Sequence, residues 1–178
     1  MAIVFSNLRK SLYDWAILVA PTGFDVIWYR PNSPRPSLSY VTLSMINFSQ
    51  VGWDYIPRPD TNGDAAISGD REFTLRIECY GDGCFEALET IRSSLQKPTI
   101  LDTLREDGIV FVTQNDITNV AALLDTEWEP RTSMDIFFRL AQTNPEVLGK
   151  IETVEIQEIL SDGESDIYDE TITITSTP

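Results

Sequence analysis

The chain contains no histidine, and that absence removes a large part of enzyme chemistry. Ser-His-Asp and Cys-His arrangements, imidazole acid–base steps and His-ligated zinc all fall away. Positive charge is scarce as well: 13 Lys and Arg stand against 28 Asp and Glu in 178 residues, a formal net charge of −15. Holding DNA or RNA by phosphate neutralisation needs clustered Lys and Arg, and adhesion to anionic membranes needs the same, so both are disfavoured. Cysteine is limited to Cys79 and Cys84, and two sulfurs do not complete a tetrahedral metal site. No apolar run approaches the ~20 residues of a membrane span. Arg9 and Lys10 follow the first apolar residues, the reverse of a secretory signal. The expectation is a protein made in the cytoplasm with reduced thiols, no membrane partner, and no metal or other cofactor.

What is present is ordinary globular usage, 42% hydrophobic and 23% charged, in a chain long enough to bury about two thirds of its unfolded surface. The charge is unevenly placed. Residues 151–178 carry Glu152, Glu155, Glu158, Asp162, Glu164, Asp166, Asp169 and Glu170 and no Lys or Arg, so this segment holds more than half of the net charge.

Periodicity predicts a helix over 6–20, with Leu8, Leu12, Trp15 and Val19 on one face and Ser6 as its cap. A short β-rich run follows at 24–30. Residues 31–37 hold three prolines and read as a stiff extended loop. Residues 39–50 read as a strand whose apolar phase switches between Met45 and Ile46, the mark of a bulge or bend, and 52–56 continue it. Residues 57–69 read as a turn-rich loop. The clearest strand is 71–80. Helices are predicted at 84–96 and from Pro98 to a Gly108 cap, then a strand at 109–112, a connection over 113–123, a long strand over 126–142 and a turn at Asn144-Pro145. Strands grouped in runs argue for an α+β fold, with an antiparallel or mixed sheet and helices packed on one face. The expected domains are 1–158 as the α+β body and 159–178 as an acidic extended arm.

Three segments invite a chemical reading. Asp60-Thr61-Asn62-Gly63-Asp64 opens like a calcium loop, but Ala65 and Arg71 stand where Gly and Glu are needed, so a surface loop with Asx turns is favoured. Asp162-Gly163-Glu164-Ser165-Asp166 reads as a solvated linker rather than a divalent-ion site. Tyr80-Gly81-Asp82-Gly83 lacks the glycines and Lys of a phosphate loop and reads as a turn in which Asp82 caps the next helix. No residue set demands an enzyme. Ile172 to Thr175 alternate in strand fashion beyond a flexible acidic link, which makes them candidates for adding to another subunit's sheet edge. A different class, a monomeric accessory module for carbohydrate or a divalent metal, would use Trp28, Trp53 and Trp128 as a stacking platform; packing in a core or interface is the simpler role for those rings.

Several segments in order resemble the phage neck terminator family of tailed bacteriophages and prophages, mainly those with contractile tails. They are Val26-Ile27-Trp28, Pro34-Arg35-Pro36, Tyr40-Val41-Thr42-Leu43, Gly69 to Leu75, Tyr80-Gly81 with Ala87-Leu88, Leu123 to Arg131, Met134 to Phe138, and Ile151 to Ile156. The resemblance covers about residues 8–158 and implies a tail-terminator-like α+β subunit without catalytic residues. Such subunits form a ring, usually a hexamer, on a completed tail, stop tube polymerisation and offer a surface to head-side connector or stopper proteins. Tail tube and sheath proteins are the other implied partners, and genome DNA passes through the lumen without specific binding. On this footing Pro34, Arg35 and Pro36 are expected to dock partners. Arg35, Arg71 and Arg131 are expected in ion pairs, across subunits or within the chain, and Ile172 and Ile174 in an added strand.

Overall fold

A computed structural model describes residues 3–30, 34–36, 39–60, 62–124, 127–147, 149, 153–161 and 166–175. Their elements are α1 (Phe5–Val19), β1 (Asp25–Trp28), β2 (Tyr40–Tyr55), β3 (Asp64–Tyr80), α2 (Cys84–Ser94), α3 (Pro98–Glu106), β4 (Ile109–Gln114), β5 (Thr118–Asn119), β6 (Ala122–Leu124), β7 (Glu127–Glu129), β8 (Arg131–Val147), β9 (Thr153–Ser161) and β10 (Asp166–Thr175). Two compact units emerge: Met1–Asp54 with Ser68–Thr143, and Tyr55–Ile67 with Asn144–Pro178.

The main sheet runs β1-β2-β3-β8-β4, and β5 also pairs with β8. β1 and β2 are parallel, in the register Asp25↔Tyr40 to Trp28↔Leu43. β4 and β5 both lie antiparallel to β8, so the sheet is mixed and the fold is α+β. Alternation along β8 shows how the layers form. Thr132, Met134, Ile136, Phe138 and Leu140 are buried, while Ser133, Asp135, Phe137 and Arg139 between them keep solvent access. A strand turns alternate side chains to opposite faces, so one face meets the core and the other meets water.

The buried face packs against the apolar stripes of the helices: Leu8, Leu12, Trp15 and Ala16 of α1, Ala87, Leu88 and Ile91 of α2, and Leu104 of α3. Phe73 and Phe138 stack at 5.4 Å at its centre. Trp15 ties the layers together: its Nε1–H donates to Ser94 Oγ at 3.1 Å, and its ring meets Phe138 edge-on at 6.2 Å. α3 begins with Pro98 in its first turn and ends before Gly108, whose φ of +76° suits the left-handed residue after a helix.

Several expectations need correction. Val4, not Ser6, is the N-cap of α1, and no side chain caps it. The loop predicted over 57–69 is shorter, because β3 already begins at Asp64; its Ala-Ala-Ile run carries the strand where the flanking turn residues masked it. The 113–123 connection contains β5 and the start of β6. The long strand over 126–142 is interrupted at Pro130, which has no N–H for a ladder, and resumes as β8. β8 then runs through Asn144-Pro145 instead of turning there. The phase change in β2 is present as packing: Leu43 is buried, while Met45 and then Phe48 lie against the core.

The C-terminal segment also differs from a lone strand. β9 and β10 pair with each other in antiparallel fashion, with Ile172 opposite Ile156 and Ile174 opposite Val154. The acidic link over 162–165 lies outside the described residues.

Candidate assembly surface

The solvent face of the sheet carries a row of charge pairs between β3 and β8. Arg139 Nε donates to Glu72 Oε2 at 3.0 Å. Arg76 donates to both carboxylate oxygens of Asp135, from Nε at 2.8 Å and from Nη2 at 2.9 Å. Arg131 Nη2 donates to Glu78 Oε1 at 2.6 Å. Partner numbers fall along β8 as they rise along β3, the order that antiparallel neighbours give. Such pairs set register as well as contributing energy.

At the Tyr80 end the row thickens into a cluster. Tyr80 donates its hydroxyl to Glu78 Oε2 at 2.9 Å, stacks on Tyr40 at 4.6 Å and lies beneath the Arg131 guanidinium at 4.9 Å. Burial, then the bond to the Glu78 carboxylate, raise the Tyr80 hydroxyl well above its ordinary pKa. Arg35 reaches Glu129 with one nitrogen shared between both carboxylate oxygens, at 2.9 and 3.0 Å. Pro34, Arg35 and Pro36 line a shallow cavity of about 190 Å³ together with Trp28, Tyr40 and Tyr80. Thr42 also borders it, and among the described residues its buried hydroxyl has no hydrogen-bond partner.

The turn after Tyr80 is held by backbone. Gly81 has φ +101°, and a Cβ there would come within 2.4 Å of Ser39 Oγ, so only glycine fits the approach. Its N–H donates to Pro130 O at 3.0 Å. The Cys84 thiol donates to Gly81 O at 2.7 Å. Cys79 and Cys84 are both buried as free thiols, and burial pushes both above their ordinary pKa. Asp82 does not cap α2: the N-cap is Gly83 at φ +74°, without a side-chain bond.

Arg71 sits elsewhere on β3. It holds Asp54 with two nitrogens, each at 2.7 Å, and this contact keeps the Asp54 carboxyl below its usual range. Gly69 makes room for the pair, since a Cβ there would lie 1.8 Å from Asp54 Oδ1. The structure therefore brings Arg35 and Arg131 to the Tyr40–Tyr80 cluster and leaves Arg71 apart. All three arginines have partners within the chain. The β3–β8 row was not expected from the sequence, although its signal is there: Glu72, Arg76 and Glu78 share one face of β3, and Arg139, Asp135 and Arg131 mirror them in sign.

In the second unit, Asp60 Oδ1 accepts the backbone N–H of Asn62 at 2.8 Å and of Asp64 at 2.9 Å, an Asx turn that lowers its pKa. Gly63, at φ +84°, packs so closely on Gly149 that a Cβ would lie 2.7 Å from its carbonyl carbon. Ile172 and Ile174 lie on the β9–β10 hairpin, each about half exposed.

Among the described residues, Trp28 and Trp53 do not share a platform. Trp28 lies under Arg9 at 4.4 Å. Trp53 is 97% exposed and stands far along β2, roughly 30 Å of strand beyond the Leu43 partner of Trp28 at ~3.3 Å per residue. The Trp128 side chain lies outside the described residues.

Among the described residues no helix is long and apolar enough to cross a membrane. A family model described as phage neck terminator protein matches residues 6–164. No curated protein matches the chain.

Proposed function

Because the chain belongs to the phage neck terminator protein family, a family of structural proteins, we propose that it assembles as a ring, a hexamer by preference, on top of a completed tail. There it ends growth of the tail tube, meets the sheath, and presents a surface to the head-side connector or stopper proteins. The family match over most of the chain carries this reading. Its place would then be the neck of the virion, after assembly in the host cytoplasm.

The geometry supports a ring in two ways. β1 and β4 stand at opposite ends of the main sheet, and Val110 and Val112 on β4 are 46% and 40% exposed. Open edges at two different ends of one sheet suit a head-to-tail contact, the kind that closes into a ring when the rotation permits. The Pro34-Arg35-Pro36 segment supplies a docking element with little freedom left to lose. Arg35, Arg71 and Arg131 act in this reading through the fold: they fix the sheet end and strand register that neighbours meet.

With a net charge of −15 and eight of the 13 Lys and Arg held by the chain's own carboxylates, a lumen lined by this chain is acidic and repels DNA phosphates, so the genome slides through without sticking. Cryo-electron microscopy of the particle tests both parts. A ring of this protein at the tail–neck junction with an acidic bore is the expected result. A monomer away from the neck refutes the first part, and a basic bore the second.

A further inference from the structure

We propose that the apolar face of the β9–β10 hairpin docks on a different protein, one that offers an apolar strip bordered by Lys or Arg. The face follows from the register. Ile172 lies opposite Ile156 and Ile174 opposite Val154, and cross-strand partners share a face of a sheet. Four β-branched side chains therefore form one block, exposed at 42% (Val154), 50% (Ile156), 50% (Ile172) and 57% (Ile174). Thr153, Glu155, Thr171, Thr173 and Thr175 alternate with them and turn to the opposite face. A two-stranded hairpin is marginal in water on its own and gains independent stability only when its apolar face is covered.

Charge selects what covers it. Residues 151–178 hold eight acidic residues and no Lys or Arg, so the hairpin brings a dense negative field to whatever it meets. A second copy of this chain is a poor match. It carries a net charge of −15, and eight of its 13 basic side chains are already bound to its own carboxylates: Lys10, Arg35, Arg71, Arg76, Arg92, Arg105, Arg131 and Arg139. Like charges across an interface suppress the wrong partner, and opposite charges steer the right one. A basic-rimmed apolar strip on another protein satisfies both the block and its surround. The inference uses the neck reading only to say where that protein is sought.

The test places p-benzoylphenylalanine at position 172 of the full-length chain in cells producing the phage, and identifies the photo-crosslinked peptides by mass spectrometry. The expected link is to a peptide of another phage protein in which Lys or Arg flank apolar residues, with at least a fivefold weaker yield when the probe replaces Thr173 on the opposite face. A link to this chain itself, a link to an acidic peptide, equal yields from both faces, or no link overturns the proposal. Sedimentation of the full chain carrying Ile156→Asp and Ile172→Asp adds a second reading: self-association is expected unchanged, and its loss makes the occupant a second copy. Tail length separates this idea from the ring. Tails of normal length without the crosslink sink the docking alone, and unterminated tails with the crosslink intact sink the ring alone.

Discussion

Removing Glu78 tests whether the Arg131 cluster belongs to the fold or waits for a neighbouring subunit. Glu78 accepts from Arg131 at 2.6 Å and from Tyr80 at 2.9 Å. Its side chain is 14% exposed and that of Arg131 31%. Hydrogen bonds to charged groups contribute about 1.5–3 kcal/mol each when buried, whereas an exposed pair contributes about 0.2–1 kcal/mol. The third of Arg131 that reaches solvent places this pair between those limits, at about 1–2 kcal/mol. Tyr80 is 8% exposed, and its hydroxyl loses an acceptor in the same change, which adds about 1 kcal/mol. Glu78→Ala is therefore expected to destabilise the isolated chain by about 2–3 kcal/mol, a fall in Tm of roughly 4–12 °C for a protein of this size. The assay is denaturant unfolding of Glu78→Ala, Arg131→Met and the double variant, read as a double-mutant cycle. A coupling of about 1–2 kcal/mol is expected in the monomer. Full additivity, or a Glu78→Ala protein within about 0.5 kcal/mol of the native one, refutes the intrachain role and returns Arg131 to the interface.

Other consequences can be checked more briefly. Ser94→Ala leaves the Trp15 indole N–H buried without its acceptor and is expected to cost about 1–3 kcal/mol in urea unfolding. Gly69→Ala drives a methyl into the Asp54 carboxylate, so it is expected to lower Tm by several degrees in calorimetry, and Arg71→Met placed on top of it to cost less than it does alone. Asp54, Asp60 and Glu89 have folded pKa values below their ordinary ones. Their stabilisation is present above the unfolded values near pH 4 and is lost as pH falls through the lower folded values. With no histidine to titrate, Tm is expected flat from about pH 5 to 8; a step near pH 6.5 in a scanning-fluorimetry series contradicts this. Ellman's reagent is expected to label Cys79 and Cys84 only on unfolding, since both are buried with raised pKa values; fast labelling of the native chain contradicts the burial.

The fold class and the helices were legible because their signals are local. The 3.6-residue spacing of Leu8, Leu12 and Trp15 and the alternation of Phe73, Leu75, Ile77 and Cys79 are set by which face is buried, and those residues are indeed buried. Pairings between distant segments were less accessible. The mirrored charges of β3 and β8 sit more than fifty residues apart, and nothing in either strand alone says that they meet. The tail misled for a different reason: Ile172 and Ile174 read as a strand without a sheet, because Val154 and Ile156, which complete their pairing, had been counted with the body. Pro145 inside β8 went against proline's usual avoidance of strands, which holds for central positions and relaxes at edges and ends.

The parallel pairing of β1 with β2 has a consequence for how the proline loop can evolve or be engineered. Asp25 pairs with Tyr40 and Trp28 with Leu43, so after Trp28 the chain has to travel back along the whole of β1 before β2 can begin. Parallel neighbours need a crossover of about a dozen residues, usually a helix, and here residues 29–39 make the return. That segment is a bridge of fixed span whose ends are pinned by Tyr29 N–H on Leu43 O at 2.9 Å and Asp25 N–H on Ser39 O at 3.1 Å. The two strand ends that it joins set its span, and within it Arg35 is already held by Glu129. A deletion there would detach the sheet's edge strand before it said anything about recognition, so point changes at Pro34 or Arg35 are the informative way to vary what this loop meets.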